Sequence, residues 1–227
     1  MNKRYRAVLL DADETLFDFS RAESFALEAS FRAYGLDPSP GAIARYDEIN
    51  RALWRKFERG EIAQAVLKVQ RFERLFAELG ESVSAEAFSE TYIDALGKGA
   101  FLIPGAEELC DYLASAYPLA LVTNGLAKVQ RPRFEASTIR RHFRALVISE
   151  EVGVAKPAPE IFLRACEALG ISPGDCLMIG DSLGSDIAGA MNCGMDSCWV
   201  NLQGTVNDTG INSTYEVRSL AEIREIL

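Results

Sequence analysis

Ala7 to Leu10 is a run of four apolar residues that stops on Asp11, and the same signature returns three times further along the chain. Leu119 to Val122 ends at Thr123-Asn124-Gly125, Ala145 to Ile148 ends at Ser149-Glu150-Glu151, and Cys176 to Ile179 ends at Gly180-Asp181. Short unbroken runs of this kind read as strands buried on both faces, not as strands with one wet side. Each is followed by a segment of helical pattern, so the chain predicts βαβ units and an α/β fold with a doubly wound parallel sheet. Ligands bind such sheets beyond the carboxyl ends of the strands. Asp11, Asp13, Thr123 and Asp181 all fall there, contributed by separate segments.

Between the first two runs, roughly Ser20 to Lys98 carries no strand pattern and reads as helix throughout. Ser20 with Glu23 has the spacing of a capping box, Gly35 stops the first helix, and Ser39-Pro40 offers an N-cap followed by a first-turn proline. Ile43, Tyr46, Ile49, Leu53, Trp54 and Phe57 then recur at helical spacing up to Gly60. A third helix carries Ile62, Val66, Val69, Phe72, Leu75, Phe76 and Leu79 before Gly80, and Ser84 opens a fourth through Phe88, Tyr92 and Leu96. Four amphipathic helices with short joins predict an inserted α-helical bundle. The expected division is a core of 1–18 and 98–227 with a helical domain of 19–97, and the hinges fall at Phe17 to Phe19 and Gly97 to Pro104. Ser219 with Glu222 reads as a second capping box for a short final helix, while Pro132 falls where a helix should run after Thr123 and should kink or restart it.

With 24 Lys+Arg against 33 Asp+Glu the net charge is −9, which repels nucleic-acid polymers and anionic membrane surfaces. A small anionic substrate remains compatible if a cation neutralises it locally. Met1 to Arg6 is basic, but the apolar run behind it is too short for a secretory signal, and no stretch approaches a membrane span. Five cysteines, Cys110, Cys166, Cys176, Cys193 and Cys198, include no CxxC pair and read as small buried hydrophobes, so a cytoplasmic chain is expected. His142, the sole histidine, has no evident partner in sequence and reads as a surface residue.

Four clusters carry chemistry. Asp11-Ala12-Asp13-Glu14-Thr15 brings two carboxylates to a strand end, where their repulsion calls for a shared proton or a hard cation such as Mg²⁺. Thr123-Asn124-Gly125 offers a hydroxyl and backbone N–H groups at the next strand end, suited to an anion. Lys156-Pro157-Ala158-Pro159 fixes a cation between stiff elements, a counter-ion for phosphate and for a carboxylate nucleophile. Gly180-Asp181-Ser182-Leu183-Gly184-Ser185-Asp186 adds a third strand-end carboxylate and another one turn into the following helix.

Singly, each is a common turn; in this order, at the ends of alternating strands, they closely resemble the four motifs of the haloacid dehalogenase-like hydrolase superfamily, from Val8 to about Val200. The resemblance implies a Rossmann-like core and a mobile helical cap. By match, Asp11 is the nucleophile that forms an aspartyl phosphate, and Asp13 is the acid that protonates the leaving group and then the base that activates water. Thr123 and Lys156 match the catalytic phosphate-holding positions, and Asp11, Ala12, Asp13, Thr123, Asn124 and Lys156 together match the phosphate site. Asp11, the backbone carbonyl of Asp13 and Asp181 match the Mg²⁺ ligands, with Asp186 as the outer carboxylate orienting Lys156 or a water on the metal. The family's dehalogenases lack the second Asp of the first motif, so Asp13 implies phosphate chemistry.

Within the superfamily, Ile49 to Ile62, Leu146 to Pro157 and Cys198-Trp199-Val200-Asn201 resemble bacterial pyrimidine 5′-nucleotidases, implying a nucleoside monophosphate substrate; the expected assembly is a monomer or homodimer. Sugar phosphates, phosphoglycolate and a mutase outcome are the neighbouring alternatives. A receiver-like regulatory phosphoprotein also surrounds an acceptor Asp with acidic, Thr and Lys side chains, but its acceptor lies on a later strand than its acidic pair and it carries no large cap. Trp54 and Phe57 read as cap core before they read as a stacking platform, and Asn50 either reads a base edge or bonds a neighbouring helix.

Overall fold

The structure is a computed structural model that describes residues 5–227, Glu58 by its backbone alone; Met1 to Arg4 of the basic start lie outside the described residues. Six strands form one parallel sheet: β1 (Ala7–Leu10), β2 (Leu119–Thr123), β3 (Phe143–Ile148), β4 (Cys176–Gly180), β5 (Asp196–Val200) and β6 (Tyr215–Val217), in the order β3-β2-β1-β4-β5-β6. The chain winds outward from β1 through β2 to β3, then returns to β4 on the other side of β1 and winds outward again. Order therefore reverses between β1 and β4, the point at which doubly wound sheets open a crevice for ligands. Leu10 is in register with both Leu121 and Ile179, so β1 ends just short of Gly180 on β4 and Thr123 on β2, and the Asp11 N–H extends the ladder to the Ile179 carbonyl at 2.9 Å.

The unbroken apolar runs are explained by burial on both faces. Val8, Leu10, Leu119, Leu121, Leu177 and Ile179 form one core layer, while Ala7, Leu9, Ala120, Val122, Cys176 and Met178 form the other. Among the helices, α1 (Phe19–Ala33), α2 (Pro40–Glu58), α3 (Gln64–Leu79) and α4 (Ala85–Leu96) belong to the insertion. The core helices are α5 (Ala106–Ala114), α6 (Ala127–Ala136), α7 (Ser149–Val152), α8 (Pro159–Leu169), α9 (Ala188–Asn192) and α10 (Ile223–Ile226). Leu109, Cys110 and Leu113 of α5 cover the first layer, and Ile161, Phe162 and Ala165 of α8 cover the second. Each such aliphatic side chain contributes about 1.5–3 kcal/mol on full burial.

β5 and β6 are additions to the four strands expected from the apolar runs. β5 has only Cys198-Trp199-Val200 as an apolar stretch and β6 is three residues long, so neither stands out without the sheet beside it. Pro132 does not restart α6, which runs through from Ala127 to Ala136. The proline is exposed, so its ring lies on the solvent-facing side of the helix. His142 is not a free surface residue: its side chain is 12% exposed and Nε2 lies 2.9 Å from Asp111 Oδ1. All five cysteines are free, and all but the half-buried Cys193 are buried. Glu222 receives the Ser219 hydroxyl at 2.8 Å and the Arg218 N–H at 3.0 Å, which closes the last turn without the Ser219 side chain capping a backbone N–H.

The chain divides into two compact units, the described residues up to Phe19 with Ala100–Leu227, and Ser20–Gly99. In the first, Phe17 and Leu102 form an antiparallel bridge, flanked by Asp18 N–H to Phe101 O at 3.0 Å and Ile103 N–H to Leu16 O at 2.9 Å. Taken by itself, the second unit is the bundle of α1 to α4. Ser39 and Ser84 cap α2 and α4 through their hydroxyls, and Gly80 ends α3 in the left-handed conformation. Phe31, Phe72, Phe76 and Phe88 form its centre, with Phe72 and Phe88 centroids 4.8 Å apart.

The expected capping box of α1 does not form. Its helix already begins at Phe19, and Glu23 Oε1 instead accepts from the Tyr46 hydroxyl, Asn50 Nδ2 and the Tyr92 hydroxyl at 3.0, 2.9 and 3.1 Å. Buried Arg71 completes the group, donating to Tyr46 and Asn50 and lying 4.6 Å from the Tyr92 ring centroid. Asn50 thus bonds neighbouring helices. Burial raises the Glu23 pKa, with Arg71 opposing it. On α3 the buried face is Leu67, Arg71, Phe72, Leu75 and Phe76, so Val66 and Leu79, expected inside, are exposed. Trp54 and Phe57, expected in the cap core, are half-buried and pack edge to face on one another at 5.5 Å.

Candidate active site

Three strand ends and one loop supply the site, all from the sheet unit. Asp11 follows β1, Thr123 closes β2, Lys156 lies in the loop before α8, and Asp181 follows β4. Lys156 is almost wholly buried and its Nζ donates to Asp11 Oδ1 and, at 2.9 Å, to the Val122 carbonyl; Asp186 Oδ1 lies 2.7 Å away as a second ion-pair partner. Ligand oxygens of Asp11, Asp181 and Asp186 lie within 4.8 Å of one another, the carboxylate cluster found among the described residues.

Three carboxylates face one ammonium, an excess of negative charge in a covered site. Burial pushes the Asp11 carboxyl up to about 7; Lys156 opposes that shift while Asp186 and Asp13 add to it. Burial, followed by the Asp11 and Asp186 charges, also holds Asp181 well above the usual carboxylate range. Burial works against charge on Lys156 as well, but Asp11 and Asp186 outweigh it and raise its pKa. An all-oxygen donor set with uncompensated negative charge suits a hard divalent cation.

The surrounding residues explain how these groups are held. Asp186 Oδ2 accepts the Ser182 N–H at 3.0 Å, and a Cβ on Gly180 would fall 2.3 Å from that oxygen, so the strand ends in glycine where the carboxylate lies. Trp199 Nε1 donates to the Asp181 carbonyl at 2.7 Å, tying that loop to β5. Asn124 grips the Lys156 backbone from both sides, Nδ2 to its carbonyl at 2.9 Å and Oδ1 from its N–H at 2.8 Å. Its side chain therefore positions the lysine. Thr123 Oγ1 accepts the Gly125 N–H at 3.1 Å, and buried Ala12 turns the loop by accepting the Leu16 and Phe17 N–H groups at 2.9 and 2.8 Å. Glu14, with φ at 60°, reverses the chain there.

Asp13 does not join the carboxylate cluster. Its Oδ1 accepts from Arg133 Nη1 at 2.7 Å and its Oδ2 from Gln130 Nε2 at 2.6 Å, both on α6. Sequence reasoning missed both partners. The one signal was the Arg131-Pro132-Arg133 run, which drew attention as a helix problem and not as a buried cation beside the first motif.

A parallel sheet with this strand order, an inserted helical bundle after β1 and this set of strand-end groups define a hydrolase class that a family comparison identifies directly. The model of the haloacid dehalogenase-like hydrolases matches residues 5–194, and the chain belongs to that family. It is 36% identical to the HAD-hydrolase YfnB of Bacillus subtilis over 99% of this chain and 96% of that protein. It is 35% identical to the pyrimidine 5′-nucleotidase YjjG of Escherichia coli, over 97% of this chain and 96% of that one, and 32% identical to the pyrimidine 5′-nucleotidase PynA of Streptococcus pneumoniae, over 98% and 95%. The crystal structure of B. subtilis YfnB bound to magnesium superposes with a TM-score of 0.95 over 99% of both chains. No helix among the described residues is long and apolar enough to cross a membrane.

Proposed function

We propose that the chain is a Mg²⁺-dependent phosphomonoesterase that works through an aspartyl phosphate on Asp11 and takes pyrimidine nucleoside monophosphates as substrates. The observation that carries the chemistry is the buried Asp11 carboxylate held by Lys156 within the Asp11, Asp181 and Asp186 cluster. The nucleotide reading is supported by near full-length similarity to two pyrimidine 5′-nucleotidases, and the metal by the magnesium-bound relative.

Asp11, Asp181 and the Asp13 carbonyl would hold the ion, which when bound offsets charge on the transferring phosphoryl group. An Asp11 carboxylate oxygen attacks phosphorus, the ester P–O bond breaks, and protonated Asp13 gives its proton to the leaving oxygen. Asp13, now a carboxylate, takes a proton from the incoming water as it attacks the aspartyl phosphate, which returns Asp11 and orthophosphate. Lys156 neutralises Asp11 and the phosphoryl oxygens, kept in place by Asp186 and by Asn124 on its backbone. Thr123 and the backbone N–H groups after β1 and β2 hold the remaining phosphoryl oxygens.

The test is phosphate release with Mg²⁺ across pyrimidine and purine monophosphates, sugar phosphates and phosphoglycolate, with EDTA and Asp11→Asn as controls. A preference for pyrimidine monophosphates, lost in both controls, is the expected result. Preference for another metabolite overturns the substrate, and release that persists in Asp11→Asn overturns the mechanism.

A further inference from the structure

The way Asp13 is held goes beyond what its motif specifies. Gln130 and Arg133 are three residues apart on α6, so both side chains leave one face of the helix and reach the same carboxylate. One donates to each oxygen, at 2.6 and 2.7 Å, which opposes rotation of the carboxylate in either direction. A carboxylate has about four lone-pair sites, and the two donors take one on each oxygen.

Neither donor is incidental. The Arg133 side chain is fully buried, and Asp13 is the carboxylate at its Nη1. Its guanidinium carbon also lies 4.9 Å from the Phe17 ring centroid and 5.9 Å from that of Phe19. Gln130 is 2% exposed and crosses directly over Gly125, where a Cβ would fall 2.2 Å from Nε2. The glycine after Thr123-Asn124 thus gives Gln130 its path to Asp13. We propose that Gln130 and Arg133 are positioning residues that fix the Asp13 carboxylate in the orientation from which it gives and takes the proton. The inference rests on Asp13 being the acid and base of the proposed phosphatase. It assigns to α6 a part in proton delivery, and it gives Gly125 a reason to lack a side chain.

The experiment compares kcat/KM, which reports steps through phosphoenzyme formation, for a nucleoside monophosphate and for p-nitrophenyl phosphate. The alkoxide leaving group of the first needs a proton, whereas p-nitrophenolate departs as a stable anion. Gln130→Met keeps volume and helix propensity while removing the donor. It should lower kcat/KM for the nucleotide about 10- to 100-fold, within the range general acids supply, through kcat with KM little changed, and leave p-nitrophenyl phosphate within about 3-fold of wild type. Arg133→Leu should act in the same direction, with Arg133→Lys recovering part of the loss, and thermal unfolding identifies any variant that fails to fold. Equal losses on both substrates, or no loss on either, overturn the positioning role. Asp13→Asn separates the two layers: if it shows no such leaving-group dependence, or if wild type turns over neither ester, the phosphatase reading itself fails.

Discussion

Gly180→Ala tests whether the end of β4 is glycine because Asp186 lies over it. An alanine Cβ would fall 2.3 Å from Asp186 Oδ2, 2.4 Å from Cγ and 2.7 Å from Cβ, distances that real Cβ contacts do not reach. The carboxylate must therefore leave, giving up the Ser182 N–H at 3.0 Å and the Lys156 ammonium at 2.7 Å. A hydrogen bond to a charged group is worth about 1.5–3 kcal/mol, and overpacking a core position costs about 1–3 kcal/mol. Together these predict a loss of about 2.5–6 kcal/mol, or roughly 5–24 °C in Tm for a chain of this size. The assay is thermal and urea unfolding of four proteins: wild type, Gly180→Ala, Asp186→Ala and the double variant. Asp186→Ala removes the two closest contacts, Oδ2 and Cγ, and leaves only the Cβ approach of 2.7 Å, so the double variant should lose less than the sum of the single losses, with a coupling of about 1–2 kcal/mol. If the two losses simply add, the steric argument is refuted.

Mg²⁺ should raise the Tm of the wild-type protein by binding the folded state alone, by about 2.7 kcal/mol of stability at a hundredfold excess over Kd, and Asp181→Asn should remove most of that shift in a calorimetric scan. Glu23→Gln keeps an acceptor for Tyr46, Asn50 and Tyr92 while removing a buried charge, and should stay within about 1 kcal/mol of the wild type at neutral pH by denaturant unfolding. Because burial raises the Glu23 pKa in the folded state, that state binds the proton more tightly than the unfolded chain, so wild-type stability falls as pH rises above 4.5 through the raised folded value; the Gln variant should lack this slope. Phe72→Ala, at the centre of the aromatic cluster of α1 to α4, should cost about 3–5 kcal/mol in the same measurement.

The sheet was readable from sequence because its central strands are buried on both faces and must be continuously apolar, and because function collects polar residues at their ends. β5 and β6 escaped because an edge region tolerates short, mixed strands, and Asp196–Val200 shows its pairing only once β4 lies beside it. In the bundle, helix number and most caps followed from Ser39, Ser84 and Gly80, whereas the buried face of α3 did not. Arg71 counts as polar in any periodicity, yet Glu23, Asn50 and two tyrosines from other helices make it an interior residue. The same blindness hid Arg133. Local pattern registers what a residue prefers; a buried cation depends on an anion more than a hundred positions away, as Arg133 does on Asp13.

The pairing of Phe17 with Leu102 also bears on how such a chain is assembled and reassembled. The two connecting segments are zipped side by side, so the sheet meets everything between them as the two legs of a hairpin. Closing a loop costs little more for a long one than for a short one once its ends are fixed, since the entropy grows only with the logarithm of length. Natural selection can therefore lengthen, shorten or exchange the intervening module without redesigning the strands that carry the aspartates. The aspartate-bearing strands and the inserted bundle thus remain separately heritable parts of one polypeptide.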